Sequence, residues 1–463
     1  MDTIWQPTLT DGAGPKYKAV AQTIREGVAR GELAEGAKLP PVRDLAWKLG
    51  ITPGTVARAC TILADEGMLT AEVGRGTFVA SKRNFAPLCM SIEVDSATHD
   101  EEQQTYQVNL FSPRLPNVGQ ASLIHQLLSD IAHDPPSDMM HYPSRENSLS
   151  ARQAAVSWLK NAPLGGFREG DLTLTNGGQN AILIVMQAVL KGRRPTVLVE
   201  ELAYPGFRRA AELLRVIVVP IAMDKEGIIP EALAAACDAY EAQILCTSPE
   251  VHNPTCGFTP ESSRKEIVEI ARKHDLQILE DDCYRMGAAA APTYRMLAPE
   301  RGWYVSSISK TVMPSLRIGI AVAPEGKGPK LRRAAEHSFF GLATPITDLC
   351  ARLLVHPQLD SLTTKARIGI NAFVEIAVNI LGGYDLHWRK DVPPLWLKLP
   401  EGLRAGAFWR SAEAVGVQIR PAEEFACRDA RVPYAVRFAI NAGVSLESFE
   451  AAIGHLRDLL DNP

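Results

Sequence analysis

In the stretch SSISKTVMPSLRIG (306–319), Lys310 sits among small hydroxylated residues, with Pro314 and Arg317 just after it. An amine so placed can add to a carbonyl group, and a fixed guanidinium nearby can grip a phosphate. Other chemistry-bearing residues occupy comparable positions. Asp281 closes the apolar run LQILE, Asn253 follows ILCTS, and Gly177-Gly178 follows LTLT. Each has an ordinary explanation when taken singly: lysines are mostly surface charge, Asp-Asp pairs turns, and Gly-Gly pairs loops. Their joint recurrence at the ends of apolar runs is much harder to explain that way.

One chemistry uses all of them. A pyridoxal phosphate site needs an amine to form an internal aldimine, and Lys310 supplies it. It needs a buried carboxylate to keep the pyridine nitrogen protonated, for which Asp281 fits. Tyr284 and Asn253 can donate to the ring phenolate. The stretch TNGGQ offers a phosphate cradle at a helix N-terminus through the amides of Gly178 and Gln179. Ser307, Ser309 and Arg317 complete that cradle with hydroxyls and a guanidinium. Tyr204 in EELAYPG is placed to cover the ring with a flat face.

The elements that must hold these residues follow from periodicity. DLTLTNGGQNAILIVMQAVL reads as strand, glycine turn and helix, and TVLVEELAYPGFRRAAELL repeats the scheme. RVIVVPIAM, AQILCTSPE, LQILEDDCY, WYVSSIS and RIGIAVAP are further strands, with PESSRKEIVEIARKH an amphipathic helix among them. Continuous apolar strands alternating with such helices predict an α/β body with a mostly parallel sheet covered on both faces. Ligands of such sheets bind beyond the carboxyl ends of the strands, where the candidate residues fall.

The first eighty residues follow a different pattern. Tyr17, Val20, Ile24 and Val28 recur at helical spacing up to Gly31. Val42, Leu45, Ala46 and Leu49 make a short amphipathic helix closed by Gly50. Thr52 and Pro53 then suit the N-cap and first turn of another helix. Val56, Cys60 and Leu63 would line its inner face, leaving Thr55, Arg58 and Thr61 outward. LTAEVGRGTFVA (69–80) reads as two strands around Gly74-Arg75-Gly76, a hairpin wing. A helix-turn-helix with a wing is expected over residues 13–80. Residues 81–107 lack periodicity and read as a linker that lets head and body move relative to one another.

Composition limits the remaining options. At 463 residues, 46% apolar and 22% charged, the chain has the make-up of an ordinary globular protein of about three domains. The basic head (15–84) carries 11 Lys and Arg against 7 Asp and Glu, which leaves −8 on the rest of a chain whose net charge is −4. A polyanion partner is thus expected for the head only. The eight cysteines form no C-x-x-C and no His/Cys cluster, so neither a metal site nor a disulfide framework is expected. No apolar run reaches the ~18 residues of a membrane span, and the start lacks a signal sequence, so the cytoplasm is expected.

The head resembles the winged helix-turn-helix of the GntR superfamily in LPPVRDLA, TVARA and GRGTF. That resemblance implies that Arg43, Thr55, Arg58, Arg75 and Thr77 meet double-stranded DNA. Residues 108–463 resemble the fold type I, aspartate-aminotransferase-like enzymes in TNGGQ, AYPG, HNPTCG, EDDCY and SISKTVMPSLRIG. The expected division is a large part at about 150–324 and a smaller C-terminal α/β part at about 325–463. The resemblance implies that Lys310 is the Schiff-base lysine and that Asp281, rather than Asp282, meets the pyridine nitrogen. It also implies that Tyr142 in MMHYPS reaches the phosphate of a partner subunit in a homodimer, and that Arg437 in YAVRFAIN grips a ligand carboxylate. Read from the residues alone, Tyr142 could equally be a packed aromatic and Arg437 an exposed strand residue. Two departures stand out: Cys256 replaces the glycine usual in the NPTG loop, and Gly178 replaces a small hydroxylated or methyl residue.

A head and body of these kinds, in this order, resemble the MocR-type transcriptional regulators. That resemblance implies sensing of an amino acid or amine by external aldimine formation, with little physiological turnover. Two other readings stand beside it: a working aminotransferase with a DNA-binding appendage, and a dimerisation scaffold with a dead cofactor site. The completeness of the site weighs against the scaffold.

Overall fold

The computed structural model describes Trp5 and residues 16–34, 36–65, 68–72, 76–79, 107–136, 139–428 and 430–462. The chain divides into two compact units, Met1–Ser96 and Ala97–Pro463. The stretch read as a linker lies, apart from Gln107, outside the described residues.

In the first unit, α1 (Lys16–Ala29), α2 (Val42–Lys48) and α3 (Pro53–Asp65) precede the strands β1 (Leu69–Glu72) and β2 (Gly76–Val79). Their apolar faces close one small core around Val20, Ile24, Leu45, Val56, Ala59 and Leu63. Gly50 joins α2 to α3 at φ 61°, the left-handed backbone conformation that favours glycine and ends a helix sharply. β1 and β2 pair antiparallel from Leu69↔Val79 to Glu72↔Gly76, the hairpin expected of the wing. Two details add to expectation. Ala59 joins Val56 and Leu63 on the inner face of α3, and the half-buried Cys60 packs against the same core. The Thr52 hydroxyl meets the Thr55 hydroxyl at 2.9 Å, while the Thr55 amide donates to the Thr52 carbonyl at 3.0 Å.

The second unit begins with β3 (Val108–Asn109), α4 (Gln120–His133) and α5 (Leu149–Trp158). Next come β4 (Leu172–Thr175), α6 (Gly178–Val189), β5 (Thr196–Glu200), α7 (Pro205–Leu213) and β6 (Ile217–Ile221). A small hairpin, β7 (Met223–Asp224) and β8 (Gly227–Ile228), leads into α8 (Pro230–Ala239) and β9 (Ala242–Thr247). α9 (Glu261–Lys273), β10 (Gln277–Asp281), α10 (Tyr294–Leu297), β11 (Gly302–Ser307) and β12 (Gly319–Val322) complete the large part. Its seven strands run in the order β4-β12-β11-β10-β9-β5-β6. β12 is antiparallel to both of its neighbours and the other pairings are parallel. Burial on both faces explains why these strands are apolar throughout rather than alternating.

After the sheet come α11 (Gly328–Phe339), α12 (Thr344–Leu354), α13 (Leu359–Leu381), β13 (Leu386–His387) and β14 (Pro394–Lys398). The chain ends with α14 (Ala405–Ala414), β15 (Val417–Gln418), β16 (Arg420–Pro421), β17 (Ala435–Ala439) and α15 (Leu446–Asp461). A second sheet, ordered β13-β14-β17-β16, is antiparallel. Its core joins Leu395, Phe438 and Phe449 to Val108 and Leu110, and β3 pairs with β15. The expected boundary near residue 325 is displaced as a result. Leu331 packs in the core beneath the large sheet and Leu349 with α4 and α5, so the second core begins with α13 and borrows residues 108–110 from the start of the body.

Candidate functional site

The carboxyl ends of the large sheet gather most of the residues singled out above. Gly177 sits at φ 83° between β4 and α6, and a Cβ there would stand 2.5 Å from Nη2 of Arg317. Arg317 itself takes φ 49°, a conformation that costs a non-glycine residue something and points to a constrained position. No carboxylate lies within ion-pair distance of it among the described residues. Ser307, at the end of β11, donates to the Ile318 carbonyl at 3.1 Å and lies 3.0 Å from the Ser309 hydroxyl. Both serines are buried. Gly178 opens α6, whose free amides face the same space. Gln179 is turned aside and donates to the Gly206 carbonyl at 2.9 Å.

Lys310 ends a short 3-10 turn, Ile308–Lys310, directly after β11. Its Nζ stands 6.0 Å from the centre of the Tyr284 ring and makes no hydrogen bond or ion pair among the described residues. Asp281 is the last residue of β10, buried, and accepts the Cys283 amide at 3.1 Å. Burial pushes its carboxyl up to about 6, against the lowering effect of the Cys283 hydrogen bonds. Asp282 is engaged elsewhere through Oδ2, which accepts from Arg285 and from the Tyr304 hydroxyl, both at 2.6 Å, while its Oδ1 has no partner. Of the two, therefore, Asp281 alone lacks a cationic partner. Asn253 is buried with its Oδ1 unpartnered. Burial, with Asp281 and Tyr284 close by, raises the Tyr204 hydroxyl well above its ordinary value.

Arg437 is only 2% exposed on β17, which excludes the surface-strand explanation. Nη1 donates to the Phe111 carbonyl and Nη2 to the Tyr284 hydroxyl at 3.0 Å, while Nε has no partner. No carboxylate lies within 4 Å of it among the described residues, although the buried Arg264 has two, Glu250 and Glu280, and the half-buried Arg285 has Asp282. A buried guanidinium without a counter-ion is costly, and an incoming anion offsets that cost. The side chain of Tyr284 links it to the lysine, since Lys310 and Arg437 stand 6.0 and 5.9 Å from the same ring.

These features fit pyridoxal phosphate. An amine without a partner, a buried carboxylate without a cation, an orphaned amide oxygen and a glycine-cleared helix N-terminus surround one crevice. Both sequence departures have local explanations. Cys256 adopts φ 62°, the conformation for which glycine is ordinarily used, and its thiol donates to the Pro394 carbonyl of the second sheet at 3.0 Å. A Cβ at Gly178 would stand 2.6 Å from the Cys283 sulfur, so Cys283 occupies the room a side chain there would need.

Tyr142 is 84% exposed, with its ring centre 6.1 Å from that of Phe340, so it is not a packed core aromatic among the described residues. In the head, Arg43 and Arg58 are exposed and Thr55 and Thr77 half-buried, while Arg75 lies outside the described residues. The Arg58 guanidinium lies 4.3 Å from the centre of the Tyr17 ring, which restrains it on the outer face of α3.

Sequence reasoning missed three residues. Arg285 holds Asp282, and its position three after that aspartate was a readable signal. Cys283 and Arg208 carried none. Arg208 reaches the Ala426 and Glu424 carbonyls, more than two hundred residues away, and only folding brings them together.

Comparison with known proteins supplies the relatives. Residues 16–79 match the gntR family of bacterial regulatory proteins, and residues 120–456 match aminotransferase class I and II. The uncharacterized HTH-type transcriptional regulator YdeF of Bacillus subtilis is 28% identical over 462 residues, covering 99% of this chain and 97% of its own. The 2-aminoadipate transaminase of Thermus thermophilus is 28% identical over 302 residues, 62% of this chain and 73% of its own. The solved structure of Thermus thermophilus LysN, an alpha-aminoadipate aminotransferase complexed with N-(5'-phosphopyridoxyl)-L-leucine, superposes with a TM-score of 0.67 at 22% identity. It covers 77% of this chain and 92% of that one.

Proposed function

Because the chain belongs to the aminotransferase class I and II family and carries a gntR-family head, we propose that it is a transcriptional regulator whose body senses an amino acid. Its cofactor is pyridoxal phosphate. The observation that carries the reading is the counter-ion-free Arg437 beside Lys310 in a chain that also has a helix-turn-helix. An enzyme of amino acid metabolism has no use for such a head.

When bound, the cofactor supplies an aldehyde on which one amine can be exchanged for another. The chain's residues would do the rest. Lys310 would hold the aldehyde carbon through Nζ, and Arg437 would receive the ligand carboxylate through its planar fork. Asp281 would hold the pyridine nitrogen, Tyr284 and Asn253 the ring oxygen, and Tyr204 the ring face. The Gly178 and Gln179 amides, Ser307, Ser309 and Arg317 would hold the phosphate. Tyr142, exposed on its own chain, serves the partner subunit of a homodimer. Exchange at Lys310 and capture at Arg437 give the large differential affinity that a ligand-driven switch in DNA binding requires. The site of action is the cytoplasm.

The amino acid, rather than a simple amine, is the ligand. Arg437→Ala should keep the colour and the operator affinity, yet need far more amino acid to shift the visible absorbance. Losing a charge-assisted pair costs about 1.5–3 kcal/mol, roughly ten- to a hundredfold in affinity. A response at wild-type concentrations, or a stronger response to a carboxylate-free amine, refutes the assignment.

The head is expected to bind operator DNA at two half-sites, with Arg58 of α3 reading base edges and Arg43, Thr55, Arg75 and Thr77 supporting it. Arg58→Ala should lose about 1–3 kcal/mol of discrimination between operator and mismatched sequence. Equally selective footprints from mutant and wild type would rule out this orientation of α3.

Turnover is the second reading, favoured by the freedom of Lys310 Nζ to carry protons. Sustained keto-acid release from amino acids by the purified chain would establish it.

A further inference from the structure

We propose that the body carries a second small-molecule site, for a carboxylate or phosphate on an apolar carrier, between β4, α5 and α11. A cavity of about 370 Å³ opens there, and none of the cofactor-crevice residues lines it. That volume falls within the ~300–1,000 Å³ usual for small-ligand pockets. β4 is the edge strand of the large sheet, so this end of the sheet has no further strand to cover it.

Its chemistry is set by Arg152. This arginine is 7% exposed on α5, where burial first, and then Arg145 and Arg332, pull its pKa below the usual value, with Glu169 acting in the opposite direction. Only one of its nitrogens is engaged: Nη1 donates to the Arg145 carbonyl at 2.8 Å and to the Ser148 hydroxyl at 2.6 Å. Nε and Nη2 make no hydrogen bond, and no carboxylate lies within 4 Å of the guanidinium, among the described residues. The contrast with Arg295 is informative. That arginine is fully buried and has no carboxylate among the described residues, but three backbone carbonyls hold it on two nitrogens and only Nη2 is left over. Arg152 instead presents its remaining donors to a cavity.

The rest of the wall indicates what the anion must be attached to. Leu172 and Leu174 of β4 are buried apolar residues at the cavity, and Phe339 adds an aromatic side. Arg332 and Arg145 bring two further positive charges, and Arg332 is only loosely neutralised by Glu336 at 3.9 Å. A buried guanidinium beside an apolar wall, with two arginines around it, suits a small molecule with one anionic end.

The test titrates benzoate and inorganic phosphate calorimetrically into the full-length chain with its cofactor bound. Saturable binding of at least one probe is expected; benzoate alone would mark a carboxylate site, and phosphate alone a phosphoryl site. Arg152→Gln should weaken that binding about tenfold or more. Arg332→Ser, partly exposed and so safer for folding, should weaken it several-fold. Binding should survive in Arg437→Ala, which separates this cavity from the carboxylate site of the crevice. The proposal is overturned if neither probe saturates, if both arginine variants bind as wild type does, or if binding vanishes in Arg437→Ala. It is equally overturned if Arg152→Gln dissociates a dimer that binds neither probe, since a second copy of the chain then fills the space.

Discussion

Replacing Lys310 with alanine is expected to abolish the yellow, borohydride-reducible adduct with pyridoxal phosphate while leaving the fold intact. The two halves of this expectation rest on separate facts. Only an amine can form the reducible bond, and Lys310 is the lysine that ends the turn after β11, facing Tyr284 at 6.0 Å. Its Nζ makes no hydrogen bond or ion pair among the described residues, so the loss removes no native contact of the charge. The change in stability should therefore stay within about 1 kcal/mol, the range of substitutions that leave no buried group unsatisfied. Absorbance before and after borohydride, with a melting curve on the same sample, reads both. Colour and reducibility that persist in Lys310→Ala would move the Schiff base to another lysine.

The second large effect belongs to Asp281→Asn, and it changes sign with the cofactor. Without cofactor, the buried Asp281 carboxyl has its pKa pushed up to about 6 from the ordinary 3.8. A raised carboxyl pKa means that the folded chain holds the proton more tightly than the unfolded chain does. Stability from this group is thus fully present below about pH 4, and is lost as pH rises toward and through 6. Asparagine is uncharged and can still accept the Cys283 amide. The cofactor-free variant should accordingly be more stable than wild type at pH 7–8, by up to about 3 kcal/mol at 1.36 kcal/mol per pKa unit, and equal to it near pH 4. With cofactor the order reverses, because asparagine cannot hold a protonated pyridine nitrogen by charge. Affinity should fall by roughly tenfold to a hundredfold, the worth of one hydrogen bond between charged groups. Urea titrations at pH 4, 6 and 8, with and without cofactor, decide the matter. A cofactor-free variant less stable than wild type at pH 8, or one that binds cofactor equally well, contradicts the assignment of Asp281.

The choice between Asp281 and Asp282 shows how far spacing can carry such an argument. Spacing favoured Asp281, but both residues are buried at the same strand end. What separates them is Arg285 and Tyr304, which both bind Asp282 Oδ2, while Asp281 has no cation among the described residues. Likewise, the strand pattern of YAVRFAIN allowed Arg437 to face solvent. Its burial and its contact with Tyr284 come from β14 and β16 flanking β17 on both sides.

Local chemistry by itself determined much of this protein. Period-3.6 and continuous apolar runs marked the helices and buried strands, Gly50 marked the turn between α2 and α3, and motif spacing marked Lys310, Asp281, Asn253 and the Gly177-Gly178 turn. These signals are legible because backbone preference and burial pattern act over a few neighbouring residues. Tertiary structure alone decided the rest. It returned residues 108–110 to the second sheet, packed α11 and α12 against the first, and joined Cys256 to Pro394 and Arg208 to Ala426. It also left Arg437 and Arg152 buried with no carboxylate beside them among the described residues. Which charge finds a partner depends on contacts between residues tens to hundreds of positions apart, and no local pattern encodes such distances.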